Sequence, residues 1–440
     1  MGLTLQDIYG EGAAVQIRRY EQALEAFTTA YGPGEVFVFR APGRVNLIGE
    51  HTDYNHGFVM PVALDKDVLL LARPRPDSMV RLSNVEADFP SFSFTISSSV
   101  SPGPAGDWGN YAKGAARELA RRIDRDLQGL DGIVAGQPPH GVPRAVGLSS
   151  SSAVTVVVAV AIAHLNGWRP DGAAMAQLCA EAEWYVGTRG GIMDHFIAML
   201  GRRGHALFLD CRPDAVGQYQ MDHVPLPRGY SLLIVDSGVR HQNVGGGFNQ
   251  RVAACRAGVK LLQARFPGTT HLRDVQDVSW DDLVPTLPEE MTVGELWERG
   301  MDLGDLPGLT SDTLLKVRAR CRHVWTENRR VEAAVAALRA GEVTALGRLL
   351  NEAHASARDD YEVSCPELEC LVQAAREVDG VVGTRLTGAG WGGCIVAIAR
   401  DDVVPEFKAH VSGRYQAEMG RSAAIFACRT APGAGECLLS

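Results

Sequence analysis

From residue 5 to 31 the apolar positions Ile8, Ala14, Ile17, Tyr20, Leu24, Phe27 and Tyr31 recur mostly every three to four residues. That spacing predicts one amphipathic helix, ended by Pro33-Gly34. The pattern then changes. Val36-Phe37-Val38-Phe39 reads as a strand, and Gly57 to Leu64 as another in which Pro61 hints at an edge or a bulge. Asp65 to Arg73, Val80 to Asn84 and Phe92 to Ile96 predict further strands of a mostly antiparallel sheet. A helix is expected from Trp108 to about Leu127. Gly129 to Pro143 reads as a loop, with a short strand after it. The apolar run from Ala153 follows, then a helix over Gly172–Val186 that Gly187 to Gly191 break.

The second half continues in mixed fashion. Strands are expected at His205–Asp210, beside a domain boundary, and at Tyr230–Val235. A glycine-rich turn, Gly245-Gly246-Gly247, leads to a helix from about Phe248. Residues 267 to 310, rich in Pro, Asp and Glu, are the hardest to assign. Helices return over Thr313–Leu338 and Thr344–Ala357, followed by a strand at Ile395–Ala399 and a helix over Val404–Met419. No internal repeat is evident.

Composition narrows the class. The 440 residues suffice for two or three domains, and 46% hydrophobic with 22% charged content is ordinary for a soluble globular chain. A net charge of −9 without a basic block argues against nucleic acid as a partner. The longest apolar run, Ala153 to Leu165, is too short to span a bilayer, and Met1 to Asp7 lacks a signal-peptide pattern. Nine widely spaced cysteines with no C-x-x-C pair read as reduced thiols. The expectation is a soluble, cytoplasmic protein without a membrane partner.

One stretch between predicted strands is unusual. Arg40-Ala41-Pro42-Gly43-Arg44-Val45-Asn46-Leu47-Ile48-Gly49-Glu50-His51-Thr52-Asp53-Tyr54-Asn55 packs Arg44, Glu50, His51 and Asp53 into ten residues, where a plain turn would be mostly Gly, Ser and Asn. Further on come Gly147-Leu148-Ser149-Ser150-Ser151-Ser152, Gly191-Ile192-Met193-Asp194, Asp359-Asp360-Tyr361-Glu362-Val363-Ser364-Cys365-Pro366-Glu367-Leu368, and Leu386-Thr387-Gly388-Ala389-Gly390-Trp391-Gly392-Gly393-Cys394. These five segments, in this order, resemble the motifs of galactokinases, a branch of the GHMP small-molecule kinase superfamily.

The resemblance implies an α/β (α+β) GHMP kinase fold: two mixed domains, 1–205 and 206–440, with the active site in the cleft between them. It implies a sugar 1-kinase that uses ATP and Mg²⁺ as a monomer or weak homodimer. Gly147 to Ser152 would form the phosphate loop, where unpaired N–H groups at a helix start receive phosphate. No G-x-x-x-x-G-K-[ST] pattern competes with it. Gly388 and Gly390 would belong to the ATP site through the third motif. Ser151 and Glu183 supply the oxygen-only set that Mg²⁺ prefers. Asp194 would be the catalytic carboxylate, at a helix start, with Arg44 keeping it ionised and neutralising charge on the transferred group. Glu50, His51, Asp53, Gly191, His195 and Phe248 would contact the sugar. The run Glu327-Asn328-Arg329-Arg330, with His323, reads instead as a solvated helix face without a site role.

Departures cluster at the sugar pocket. In the phosphate segment Ala145 replaces a usual Gly; at the sugar pocket His195 stands where the family usually has Gln, Phe248 where it has a Tyr, and Gly190 where Cys is common, with Arg189 beside it. These changes raise a different sugar, such as galacturonate, arabinose or N-acetylgalactosamine, as the alternative to galactose. A non-catalytic galactose and ATP sensor is the second class, and the intact Ser149–Ser152 loop, Arg44 and Asp194 count against it.

Overall fold

Seven strands form the largest sheet, in the order Leu3–Thr4, Gly435–Leu438, Phe37–Asn46, Pro61–Pro74, Leu130–Ala135, Met79–Asn84 and Phe92–Thr95. The computed structural model describes every residue except 1, 105, 145, 187–190, 241–243, 305 and 439–440. Arg189, Gly190 and Ala145 therefore lie outside the described residues. Gly435–Leu438 pairs antiparallel with Phe37–Asn46, Pro61–Pro74 with Leu130–Ala135 and Met79–Asn84 with Phe92–Thr95, while Leu3–Thr4 runs parallel to Gly435–Leu438 and Met79–Asn84 parallel to Leu130–Ala135. Alternate residues face opposite ways along a strand. Leu69 and Leu71 pack with Tyr20 and Phe27 of the helix Ala13–Tyr31, while Val68 lines a cavity with Val154 of the helix Ser150–Leu165. The helices Gly109–Arg122, Gly172–Trp184 and Met193–Leu200 pack around Ser150–Leu165.

The second part is built on a four-stranded sheet, Val381–Thr387, Cys394–Arg400, Tyr230–Asp236 and Ala424–Cys428. Its central strands pair antiparallel in the register Leu233 with Ala397. Helices Val244–Leu262, Val317–Ala340, Val343–Asp359, Pro366–Arg376 and Val404–Met419 bury a core that includes Leu262, Val324, Leu371 and Phe407. Two units result: 1–45 with 61–207 and 428–440, and 46–60 with 208–427. The linear division after residue 205 leaves out the two exchanged segments, 46–60 and 428–440.

Several local expectations change. The N-terminal helix is interrupted: Leu5–Tyr9 is capped by Thr4 and Asp7, a 3₁₀ turn covers Gly10–Gly12, and only then does Ala13–Tyr31 begin. Gly10 at φ 54° lets the chain turn there. The strand expected after the 129–143 loop instead lies inside it, at Leu130–Ala135. The Gly245–Gly247 turn is helical, because Val244–Leu262 starts ahead of it. Most important for function, Arg40 to Asn46 continue the strand Phe37–Asn46 and are not loop. Pro61 heads its strand, where a missing N–H is tolerated, and Phe58–Val59 belongs to a separate three-stranded sheet.

Candidate functional site

In the first unit, Arg44 near the end of Phe37–Asn46 meets the start of Met193–Leu200. Its Nε donates to Asp194 Oδ1 at 2.6 Å and its Nη2 to Oδ2 at 2.9 Å, a bidentate pair. Arg44 Nη1 donates to the Gly147 carbonyl, and its backbone N–H to Leu148 O at 3.2 Å. Gly43 allows this approach, since a Cβ there would lie 2.8 Å from Val142 and 2.9 Å from Leu148 O. Ser149, held in the left-handed region at φ 57°, donates its hydroxyl to Asp194 Oδ2. Its side chain is thus unavailable as a cap, and no side chain caps the N-terminus of Ser150–Leu165. Uncapped N–H groups at a helix start can receive an anion. Within the loop Leu148 and Ser152 are buried, while Gly147, Ser150 and Ser151 are half-exposed.

Burial alone would raise the Asp194 pKa. The Arg44 charge and the Ser149 hydrogen bond outweigh it and hold the carboxyl below the usual range. Its side chain remains 24% exposed, against 8% for Arg44. One residue further along the helix the environment reverses. His195 is 2% exposed, with Nε2 3.4 Å from Glu183 Oε1, because successive helical residues point about 100° apart. His195 thus faces the helix packing and offers no surface to a sugar, contrary to expectation. Gly191 is half-buried just ahead of the same helix.

Beside the loop lies a largely apolar pocket, partly open to solvent, lined by Val68, Phe89, Trp108, Tyr111, Val134 and Val142, with Ser150 and Ser151 at its wall. Arg144 also lines it, stacked 4.6 Å over Phe89 and paired with Glu86 at 2.8 Å. Burial raises the Tyr111 pKa, Glu183 adds to the rise, and a hydrogen bond with Ser151 opposes it. Tyr111 lines the pocket together with Ser151, one of the two expected metal ligands. Glu183 Oε1 is buried without a hydrogen-bond partner among the described residues, which suits an oxygen-seeking cation.

The rest of the signature folds within the second unit. Glu50 is 3% exposed; its carboxylate accepts from Asn46 Nδ2 at 3.0 Å and from the Gly388 N–H at 2.7 Å, with Arg385 3.5 Å away. His51, at φ 61°, lies between Tyr54 and Ala389. Burial pushes its pKa down to about 3. Asp53 opens the 3₁₀ turn Asp53–Asn55 and is half-buried. Phe248 packs its ring 5.9 Å from His51 and 5.4 Å from Tyr54. Gly388 and Gly390 are likewise engaged here. The Gly388 N–H is taken by Glu50, and at Gly390, φ 86°, a Cβ would collide with Val363 O.

Of the helix face expected to meet solvent, Arg329 is exposed and Arg330 half-buried, but His323, Glu327 and Asn328 turn inward. Glu327 Oε1 accepts from the Gly49 N–H at 2.9 Å, Asn328 Oδ1 from the Phe58 N–H at 2.9 Å, and His323 Nε2 contacts Glu50 O at 3.1 Å. All three are fully buried. They brace the loop that carries Glu50 and His51. Tyr54 and Tyr361 are further unforeseen members, although each stands inside a quoted motif.

The chain is similar to known proteins along most of its length. The galactokinase galactose-binding signature matches residues 25–74, the N-terminal domain of GHMP kinases 110–202, and their C-terminal domain 334–417. A galactokinase of Roseiflexus sp. (strain RS-1) is 39% identical over 412 residues, 93% of this chain and 95% of that protein. The chain belongs to the galactokinase family. A galactokinase of Chloroflexus aggregans is 38% identical over 410 residues, 93% of this chain and 95% of its own. The crystal structure of Lactococcus lactis galactokinase complexed with galactose superposes with a TM-score of 0.78 at 32% identity, covering 94% of this chain and 99% of that one. Methanococcus jannaschii mevalonate kinase, at 15% identity and a TM-score of 0.60 over 90% of this chain and 99% of its own, shares the GHMP kinase fold. No helix among the described residues is long and apolar enough to cross a membrane.

Proposed function

We propose that this galactokinase family member transfers the γ-phosphoryl group of ATP to the anomeric hydroxyl of galactose. The observation that carries the reading is the Arg44–Asp194–Ser149 cluster, which joins a polarised carboxylate to the start of an uncapped helix beside an apolar cavity. The cavity suits a purine, its apolar walls taking the ring and the helix start the phosphates.

Phosphoryl transfer asks chiefly for positioning and charge stabilisation. Asp194 accepts from Arg44 and Ser149, and its 24% exposure leaves room for one more donor, the sugar hydroxyl. A carboxylate held below its usual pKa is a weak proton acceptor, so Asp194 serves first to orient the hydroxyl and takes the proton late. Arg44 keeps the carboxylate ionised and spreads positive charge toward the phosphate loop. Ser151 and Glu183 would hold Mg²⁺, which when bound supplies charge neutralisation at the ATP phosphates. Asp53, half-buried, takes sugar hydroxyls through carboxylate lone pairs, and Glu50, whose oxygens are engaged by Asn46, Gly388 and Arg385, holds the loop that presents it. His195 and Phe248 pack against protein groups, so the sequence departures at these positions do not argue for another sugar.

The test is phosphate transfer from Mg·ATP to galactose, N-acetylgalactosamine, arabinose, galacturonate, glucose and mannose, with the product position read by phosphorus NMR. Galactose 1-phosphate as the dominant product is expected. Preference for another sugar, or no turnover at all, would overturn the assignment.

A further inference from the structure

In the first unit, one wall of the pocket beside Ser150 and Ser151 is built from a short turn after the strand Met79–Asn84. Asn84 Oδ1 accepts from the Glu86 N–H at 2.9 Å, and Glu86 O accepts from the Phe89 N–H at 3.2 Å. Local side-chain bonds of this kind replace a strand ladder and fix a turn. Trp108 pins its far end. The indole Nε1 donates to Pro90 O at 3.0 Å, and the ring meets Phe89 edge-on with centroids 5.8 Å apart. Phe89 is thereby set as a firm apolar wall.

Arg144 reaches this wall from just ahead of Gly147. Its guanidinium carbon lies 4.6 Å from the Phe89 ring centroid, and its Nη2 donates to Glu86 Oε2 at 2.8 Å. Asp88 adds a second carboxylate 3.9 Å from the same nitrogen. The charge is thus answered by protein, one side of the group is covered by an aromatic ring, and its edge is taken by Glu86. What remains toward the pocket is the other side of a flat cation, in company with Val68, Val142 and Val154. Guanidinium planes stack with nucleobases, whereas a phosphate takes the guanidinium edge. Phosphate has its own place at Ser150 and Ser151, where the uncapped helix begins.

We propose that Arg144 is the base-stacking residue of this pocket, forming with Phe89 and Glu86 a preformed platform for the purine ring of the nucleotide. The proposal rests on the ATP-dependent kinase reading and deepens it by naming the side chain that recognises the base. Pairing with Glu86 before the nucleotide arrives spares much of the entropy loss that ordering a long side chain would add to binding. A purine covers more of the platform than a pyrimidine, so Arg144 also sets a preference for ATP over UTP. Lysine would keep the charge and the Glu86 pair but offers no plane.

The experiment uses the full chain and three probes: adenosine, which lacks phosphate; tripolyphosphate, which lacks a base; and Mg·ATP with galactose. In Arg144→Ala, adenosine followed by ligand-observed NMR titration should bind about tenfold more weakly, the scale of one lost stacking contact. KM for ATP should rise about tenfold, with kcat and KM for galactose within about twofold of wild type, and the preference for ATP over UTP should narrow. Tripolyphosphate should inhibit wild type and variant alike, within about twofold, because the phosphate end is untouched. Arg144→Lys should resemble Arg144→Ala. Wild-type adenosine affinity in either variant would overturn the platform. Weakened tripolyphosphate inhibition in Arg144→Ala, restored in Arg144→Lys, would also overturn it and make Arg144 a phosphate ligand. Should wild type bind adenosine through Arg144 yet transfer no phosphate to galactose, the functional reading falls and the platform stands.

Discussion

Two arginines four residues apart on the strand Phe37–Asn46 each pair with an aspartate, and they serve opposite ends. Arg40 Nε donates to Asp67 Oδ2 at 2.8 Å, and both side chains are 0% exposed. Arg19 adds a second guanidinium at 2.7 Å, the Tyr9 hydroxyl a third donor at 2.7 Å, and Arg40 Nη1 caps the Pro432 and Gly433 carbonyls. Burial would raise the Asp67 pKa, and Arg19 with Arg40 reverses the shift. Arg44 and Asp194 repeat the chemistry with one difference: the carboxylate is 24% exposed and is shared with Ser149, the first serine of the Gly147–Ser152 segment. The lesson is that an Arg–Asp pair declares nothing by its geometry. A pair closed on every side can only hold the fold together, whereas a pair left partly open beside an uncapped helix can meet a substrate.

The widest separation between the two should come from removing each carboxylate. Asp194→Ala should lower kcat by about 10³-fold or more while the denaturation midpoint stays near wild type, since the pair is partly solvated. Retained turnover in a phosphate-release assay would remove Asp194 from the mechanism. Asp67→Ala should do the reverse, costing about 3–5 kcal/mol in chemical denaturation because two buried guanidinium groups lose their counter-charge. A near-normal midpoint would show that the closed cluster is not needed for the fold.

Acid should reveal a third kind of buried group. His51 and His323 are held neutral by burial, with pKa values lowered to about 3 and about 4. Unfolded histidine protonates near about 6.5, so below that pH the unfolded chain binds more protons and stability falls as the pH drops. Each ring contributes a slope of up to about 1.4 kcal/mol per pH unit between about pH 6 and 4. Asp194, whose pKa is depressed, contributes stability present above the ordinary Asp value of about 3.9 and lost only as pH falls below it. Denaturation midpoints between pH 7 and 4 check this; a flat profile would contradict the buried neutral rings. The smallest effect is expected at Phe248. Its ring contacts are with His51 and Tyr54, so Phe248→Tyr should change kcat/KM for galactose by no more than about threefold.

Legibility in the sequence followed the nature of the signal. The helix over Val404–Met419 and the strands at Met79–Asn84 and Cys394–Arg400 follow from local periodicity and were readable. Asp194 near a helix start and the serines ahead of a buried helix were readable too, because caps and helix starts are short-range chemistry. His323, Glu327 and Asn328 were not. A polar stripe at helical spacing looks the same whether it meets water or the backbone of a folded loop. His195 was misread for a related reason, since one helical step separates an open position from a closed one and the motif names only the neighbourhood.

The sequence by itself determined the family, the order of its motifs and most of the elements that carry them, because these rest on residue types and spacings along the chain. Tertiary structure alone decided which of two similar Arg–Asp pairs remains open, and that the signature is divided between units with a partner helix bracing its second part. Burial and hydrogen-bond direction depend on groups hundreds of residues apart meeting in space, and no local pattern encodes them.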